Sequence, residues 1–240
     1  MENRSFNEVV GSSSAPYLRS LAAACGLATN YSGVAHPSLP NYIALTSGST
    51  QGISNDAGPQ TDPVSAPSIF SLLGPGWRSL EESMPANCAS SSSGNYAVRH
   101  NPAAYYTSVA RACGRQDVPL GSTPDISARF TLITPNLCHD MHNCSTAAGD
   151  SWLAKVVPQI LDSPTYRAGA TALFITWDEN DAGGERVPTY VVAPSVAPGT
   201  RSAVAYTHYS LLRTTEDLLG VRPLLGAAAT ATSMRAAFNL

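Results

Sequence analysis

The 240-residue chain has little charge: Asp, Glu, Lys and Arg make up 13% of it, about half the usual share. Lysine is nearly absent, with Lys155 standing alone against thirteen arginines. The formal net charge is −3 at pH 7 and no basic stripe occurs, which removes the electrostatic case for a nucleic-acid partner. No apolar run approaches the roughly 18 residues of a membrane span. No signal peptide is visible, because the chain opens Met1-Glu2-Asn3 and is polar at once. Four catalytic signatures are missing as well. There is no G-x-S-x-G elbow, so an α/β-hydrolase triad is not expected, and no G-x-x-x-x-G-K-[ST], H-E-x-x-H or C-x-P-x-R occurs.

Cysteine is present but sparse, at positions 25, 88, 113, 138 and 144. Any four of these allow three pairings. The expected bridges are Cys88–Cys113 and Cys138–Cys144, with Cys25 left over in an apolar helix; the alternative is five reduced, buried thiols. Hydrophobic residues make up 43%, and a chain of this length can bury a substantial core.

The periodicity predicts a helix over 14–25 stopped by Gly26, and a second over 38–47 with Leu39, Tyr42, Ile43 and Thr46 at 3–4 spacing. Residues 49–67 are Ser/Gly/Pro/Asp-rich and read as loop, as does 89–95, while "SIFSLL" reads as a short helix. Later the chain alternates. Strands are expected at 128–134, 170–177 and 189–194, and helices at 150–161 (kinked by Pro158) and 209–220 (ended by glycine). Continuous apolar strands alternating with helices imply an α/β fold with a parallel sheet covered on both faces, in one domain spanning 1–240.

In such sheets chemistry gathers beyond the carboxyl ends of strands. Asp178 and Glu179 close "FITWDE" and suit a hard divalent cation, although a solvated acidic turn has the same composition. Asn180 and Asp181 read as turn chemistry. "CHDMH" carries His139, Asp140 and His142, fit for a metal or for phosphoryl contacts, or for a loop closed by Cys138–Cys144. His100 and His208 each precede a helical segment, where a lone histidine is commonly a cap or packing residue. Ser38 begins a helix, where free N–H groups and the dipole favour an oxyanion, and Asn41 lies one turn on. A serine hydroxyl needs a base or a metal to become a nucleophile. A metal-activated serine at a helix N-terminus, attacking phosphorus, uses all these features.

"ENRSF", "HPSLPNYIALTSGSTQG", "ESMP", "YAVRHNP", "PNLCHDMH", "GDSWL", "TWDEN" and "THYSLLRTTEDLLG" occur in that order. Together they resemble the bacterial phosphoesterase family of acid phosphatases and phospholipase C-type enzymes, over residues 2 to about 220. The resemblance implies an alkaline phosphatase-like three-layer αβα sandwich with a mostly parallel central sheet. "SLPN" matches in register the segment that carries the superfamily's nucleophile. Ser38 then corresponds to the nucleophile and Asn41 to a phosphoryl-binding asparagine. The resemblance maps one divalent metal onto Glu2, Asn3, Asp178 and Glu179. It places His100, His142 and His208 in the pocket, with Asp140 an additional candidate, and leaves open which histidine binds phosphate, protonates the leaving group or holds metal.

Two departures matter. Relatives carry an apolar strand ahead of "ENRSF", usually behind a signal peptide, and this chain opens at the motif. A sheet without a central strand exposes apolar faces, and Glu2 and Asn3 are then expected on a frayed terminus. His139 stands where asparagine is common.

The expected activity is a metal-assisted phosphomonoesterase of acid phosphatase type acting through phosphoserine, on a phosphomonoester that includes phosphoinositide lipid among its candidates. The alternatives are a phospholipase C-type phosphodiesterase and a shortened, non-catalytic relative. Secretion is implied by the relatives and supported by the cysteines alone.

Overall fold

The computed structural model describes residues 1–180 and 186–240. Among them, helices numbered in chain order are α1 (Phe6–Val9), α2 (Pro16–Ala24), α3 (Ser38–Ser47), α4 (Ile69–Leu73), α5 (Ala110–Gln116), α6 (Thr146–Leu161), α7 (Pro164–Arg167), α8 (His208–Leu219) and α9 (Arg235–Phe238). Strands are β1 (Gly26–Ala28), β2 (Tyr31–Ser32), β3 (Trp77–Glu81), β4 (Asp117–Pro119), β5 (Phe130–Thr134), β6 (Leu173–Thr176), β7 (Thr189–Val192), β8 (Arg201–Ser202) and β9 (Tyr206–Thr207). Short 3-10 turns cover much of 98–109.

The helix boundaries follow local chemistry. Ser68 caps α4 by accepting from Ser71 N–H, and α8 ends on Gly220 in the left-handed region, as the glycine predicts. The helix expected at 150–161 begins earlier, at Thr146, because Ser145 caps it through Ala148 N–H. Asp150 is thus inside that helix. Its carboxylate accepts from Tyr17 and Leu18 N–H at 3.1 and 2.8 Å and satisfies the orphan donors of α2 from a neighbouring helix. Cys25 lies at the end of α2 rather than within it, and Gly26 starts β1 at once.

The strands form three ladders: β6-β7-β1-β8, β4-β3-β5 and β2-β9. The β4-β3-β5 sheet is wholly parallel, and β1 also runs parallel to β8. β7, however, runs antiparallel to both β1 and β6. Between β6 and β7 no helix occurs among the described residues, so that pair stands outside the strand–helix alternation from which a parallel pairing was expected. β1, β3 and β4 had no clear period in the sequence; the first and last have three residues each.

Helix α2 packs on α6 and α3 on α8, giving helical layers about the strands and the αβα arrangement expected. One apolar cluster gathers Leu18, Leu27, Trp177, Tyr190 and Phe238; a second gathers Leu39, Ile43, Phe70, Trp77 and Tyr106. Among the described residues no ladder joins β5 to β6. A cavity of about 660 Å³ separates them, lined by both strands and by Trp152, Val156 and Leu211. Met1 lies at its edge, donating to Thr176 O at 3.2 Å and accepting from Asp178 N–H at 3.0 Å. The first residues are therefore not frayed: Glu2 N–H donates to Asp140 O at 2.8 Å and Glu2 is fully buried. Both expected disulfides, Cys88–Cys113 and Cys138–Cys144, are present, and Cys25 is free.

Candidate active site

Ser38 is the first residue of α3, and its neighbours explain the segment around it. Pro37 precedes the helix and Pro40 lies in its first turn, where a missing N–H costs nothing. Asn41 Oδ1 accepts from Val34 and Ala35 N–H at 2.9 and 3.0 Å, and its Nδ2 donates to Ala35 O at 2.9 Å. Asn41 thus shapes the loop that leads into the helix. Gly33 is needed there because a Cβ would lie 2.6 Å from Asp178 O. That close approach brings the loop against the end of β6.

The Ser38 hydroxyl lies between two acids from distant parts of the chain. It is 3.0 Å from Glu2 Oε2 and 3.3 Å from Glu179 Oε1. Glu2 Oε1 also accepts from the Tyr42 hydroxyl, one turn along the same helix. His100 stacks on Tyr42 with ring centroids 5.3 Å apart and lies between carboxylates, 3.4 Å from Glu2 Oε2 and 3.3 Å from Asp140 Oδ2. Asp140 is itself held, because its Oδ1 accepts His142 N–H at 2.7 Å. The bridged loop 138–144 thereby turns both Asp140 and His142 toward His100, whose ring centroid is 5.9 Å from that of His142.

Electrostatics in this pocket are unbalanced. Burial, then the charges of Asp178 and Asp140, push the Glu2 carboxyl well above its usual range. Burial lifts Asp178 to about 7 and also raises Glu179. Burial lowers His100 and His208 to about 4, so both rings are neutral near pH 7. Several buried polar atoms have no hydrogen-bond partner: both Asp178 oxygens, Asn3 Oδ1, Asp140 Oδ2 and His100 Nε2. Orphaned carboxylate and amide oxygens are what a hard divalent cation takes as ligands. Donor atoms of Glu2, His100 and Asp140 lie within 4.8 Å of one another. The residues present therefore fit a cation.

The remaining site residues fall into different settings. His208 begins α8 and is buried. Its Nε2 donates to Asp178 O at 2.6 Å and its Nδ1 accepts from the Tyr31 hydroxyl at 3.0 Å, so both nitrogens are engaged. His142 is more open. Its Nε2 accepts from Arg99 at 3.2 Å, and its Nδ1 donates to Asn143 Oδ1 at 2.7 Å. His139 turns aside to Glu82 at 2.9 Å and stacks on Trp152. Asn180 is buried rather than set in an open turn, and Asp181 lies outside the described residues.

Three residues around Ser38 were absent from the sequence expectations. His36 Nδ1 contacts Glu179 Oε2 while its side chain is 57% exposed. Asp56 and Arg99 pair beside the start of α3. His36 and Arg99 both lie inside quoted motifs, two residues before Ser38 and one before His100, and that adjacency was the available signal. Asp56 sits in a loop with no period and gave none.

The chain is similar to known proteins in both sequence and fold. The model of the Phosphoesterase family matches residues 11–222. The chain is 31% identical to a phosphatidylinositol-3-phosphatase of Mycobacterium tuberculosis, over 96% of this chain and 78% of that protein. It is 28% identical to an acid phosphatase of Aspergillus fumigatus, over 83% of this chain and 49% of that one. A solved protein of the alkaline phosphatase superfamily from Vibrio parahaemolyticus shares the fold, with a TM-score of 0.59 at 13% identity, over 94% of this chain and 66% of that one. An ordered set of motifs, a matching fold and family-wide sequence similarity agree: the chain belongs to the Phosphoesterase family, hydrolases acting on phosphoester bonds.

Proposed function

We propose that the protein is a metal-assisted phosphomonoesterase working through a phosphoserine on Ser38. The observation that carries this reading is the Ser38 hydroxyl at the head of α3, 3.0 Å from Glu2 and 3.3 Å from Glu179. Glu2, Asn3, Asp178 and Glu179 hold a divalent cation, with Asp140 and His100 next to them; such an ion supplies positive charge for ionising a hydroxyl and for the phosphoryl oxygens. Ser38 Oγ attacks phosphorus and gives its proton to an adjacent carboxylate. The P–Oγ bond forms as the ester P–O bond breaks. His142, the histidine with solvent access beside Arg99, delivers a proton to the departing alkoxide. His208 clamps Asp178 through its backbone carbonyl, and Asn41 holds the loop that aims Ser38. Water then attacks the phosphoserine, giving one proton to His142 and keeping the other on the phosphate, while the carboxylate returns its proton to Ser38 Oγ as the P–Oγ bond breaks.

The substrate is a phosphomonoester. The relatives named phosphatases support that choice over a diester, and the mycobacterial relative's name supports a phosphoinositide within it. Two disulfides favour an oxidising compartment and hence secretion; no helix among the described residues is long and apolar enough to cross a membrane. Ser38→Ala is expected to lower phosphate release from an aryl phosphate by at least about a thousandfold. Acid-quenched wild type is expected to carry phosphate on Ser38 by mass spectrometry. Full turnover in the alanine variant would overturn the assignment.

A further inference from the structure

α3 offers few amide donors to an incoming anion. In its first turn only Ser38 and Leu39 carry N–H groups that lack helical partners, since Pro40 has none and Asn41 N–H reaches back to the N-cap carbonyl of Pro37. One of these donors is already taken. Leu39 N–H donates to Asp56 Oδ1 at 2.9 Å, and the other oxygen of Asp56 lies 3.7 Å from Arg99 Nε. Arg99 also reaches His142 Nε2 at 3.2 Å, so its guanidinium joins the rim of the pocket. The Asp56 carboxylate thus makes, with a helix N-terminus and an arginine, the contacts that a phosphoryl oxygen makes at such a place. It arrives on the loop of residues 49–67, and its side chain is 34% exposed, so it is able to leave.

We propose that Asp56 is a built-in competitor for the phosphoryl-binding position, a specificity-determining residue that surrenders Leu39 N–H and Arg99 to a dianionic phosphate monoester and keeps them from weaker anions. The proposal rests on the reading of Ser38 as the phosphoryl acceptor. A dianion offers more charge than one carboxylate and displaces it; a diester monoanion gains no such advantage. After turnover, the returning carboxylate repels the product phosphate.

Asp56→Asn tests this, because the amide oxygen keeps the acceptor for Leu39 N–H while the charge is lost. Inhibition by inorganic phosphate is expected to become about tenfold tighter, and the diester-to-monoester ratio of kcat/KM to rise by a similar factor. Calorimetric titration of inorganic phosphate into Ser38→Ala and into Ser38→Ala/Asp56→Asn, each loaded with the activating divalent cation, gives the same comparison without turnover. Tighter binding in the double variant supports the competitor role. Affinity within twofold, or weaker, makes Asp56 a helix cap only and overturns the proposal, whether or not the Tm of that variant is lowered. Full turnover in Ser38→Ala alone would strike at the nucleophile and not at Asp56, so the two failures are distinct.

Discussion

Glu81 and Asp117 are buried as deeply as Glu2 and Asp178, yet the two groups have different surroundings. Glu81 ends β3 and Asp117 starts β4, on adjacent parallel strands. Their partners are neutral donors. Glu81 Oε1 accepts from Ser79 Oγ at 2.8 Å and Thr134 Oγ1 at 3.3 Å, and Asp117 Oδ2 accepts from Asn101 Nδ2 at 2.9 Å. Burial, followed by the charge of Asp117, raises Glu81 well above its usual range, and burial lifts Asp117 to about 7. Cys88 and Cys113 lie beside Asp117, but as a disulfide they offer no thiolate to a metal. Neutral hydrogen bonds meet most of that pair's acceptors, with Asp117 Oδ1 left as a buried oxygen without a partner. At Ser38 the acids come from separated segments, keep partnerless oxygens and face a hydroxyl. Neither depth of burial nor a single partnerless oxygen sets the two clusters apart; the convergence of several such atoms around one hydroxyl does.

Removing one acid from each cluster breaks or sharpens this contrast. Asp178→Asn is expected to cut phosphate release by about a thousandfold, several kcal/mol of transition-state stabilisation. It is also expected to keep or raise Tm at pH 7, because it relieves crowded carboxylates. Retained activity with lowered Tm would make this cluster structural like the other. Next in size is loss of the Cys88–Cys113 bridge, which closes a separation of 25 residues. Cys88→Ser/Cys113→Ser is expected to lower stability by about 3 kcal/mol through the freed unfolded chain, read by denaturant titration, with kcat at low temperature unchanged. A large fall in kcat would tie this region to the chemistry.

The smallest effect is expected from Asp117→Asn. The folded state keeps its Asp117 proton up to about pH 7, whereas the unfolded chain loses it near its ordinary value of 3.8. The unfolded state therefore binds fewer protons between these values, and this group's contribution to stability falls as pH rises from about 4 to about 7. The asparagine variant is expected to flatten that part of the Tm-against-pH profile and to leave phosphate release intact. An unchanged slope would show that Asp117 does not carry the proton.

The site was legible in the sequence wherever chemistry sat at a recognisable boundary. Ser38 at a Pro-flanked helix start, Asp178 and Glu179 at a strand end, and Asp140 and His142 after the 128–134 strand were candidates for that reason, and Ser38, Glu2, Glu179, His100 and Asp140 lie together in the fold. His36, Asp56 and Arg99 were not found. Their significance is a matter of distance across the fold: 143 residues separate His36 from Glu179, and 43 separate Arg99 from His142. Of the fold, the long helices and apolar strands were readable from period and caps. The antiparallel direction of β7 and the short strands β1 and β4 were not, because direction and pairing depend on connections and neighbours.

By itself the sequence determined the α/β class, the hydroxyl at the head of α3 and the acids after Trp177, because caps, turns and apolar periods are local physics. Only the tertiary structure decided which donors remain free and which are already occupied. Asn41 is bound to its own loop, His208 holds a backbone carbonyl with one nitrogen and a tyrosine with the other, and Asp56 covers Leu39 N–H. The reason is that a polar group's availability is set by what the folded chain places within about 3 Å of it, and composition and spacing carry no record of that.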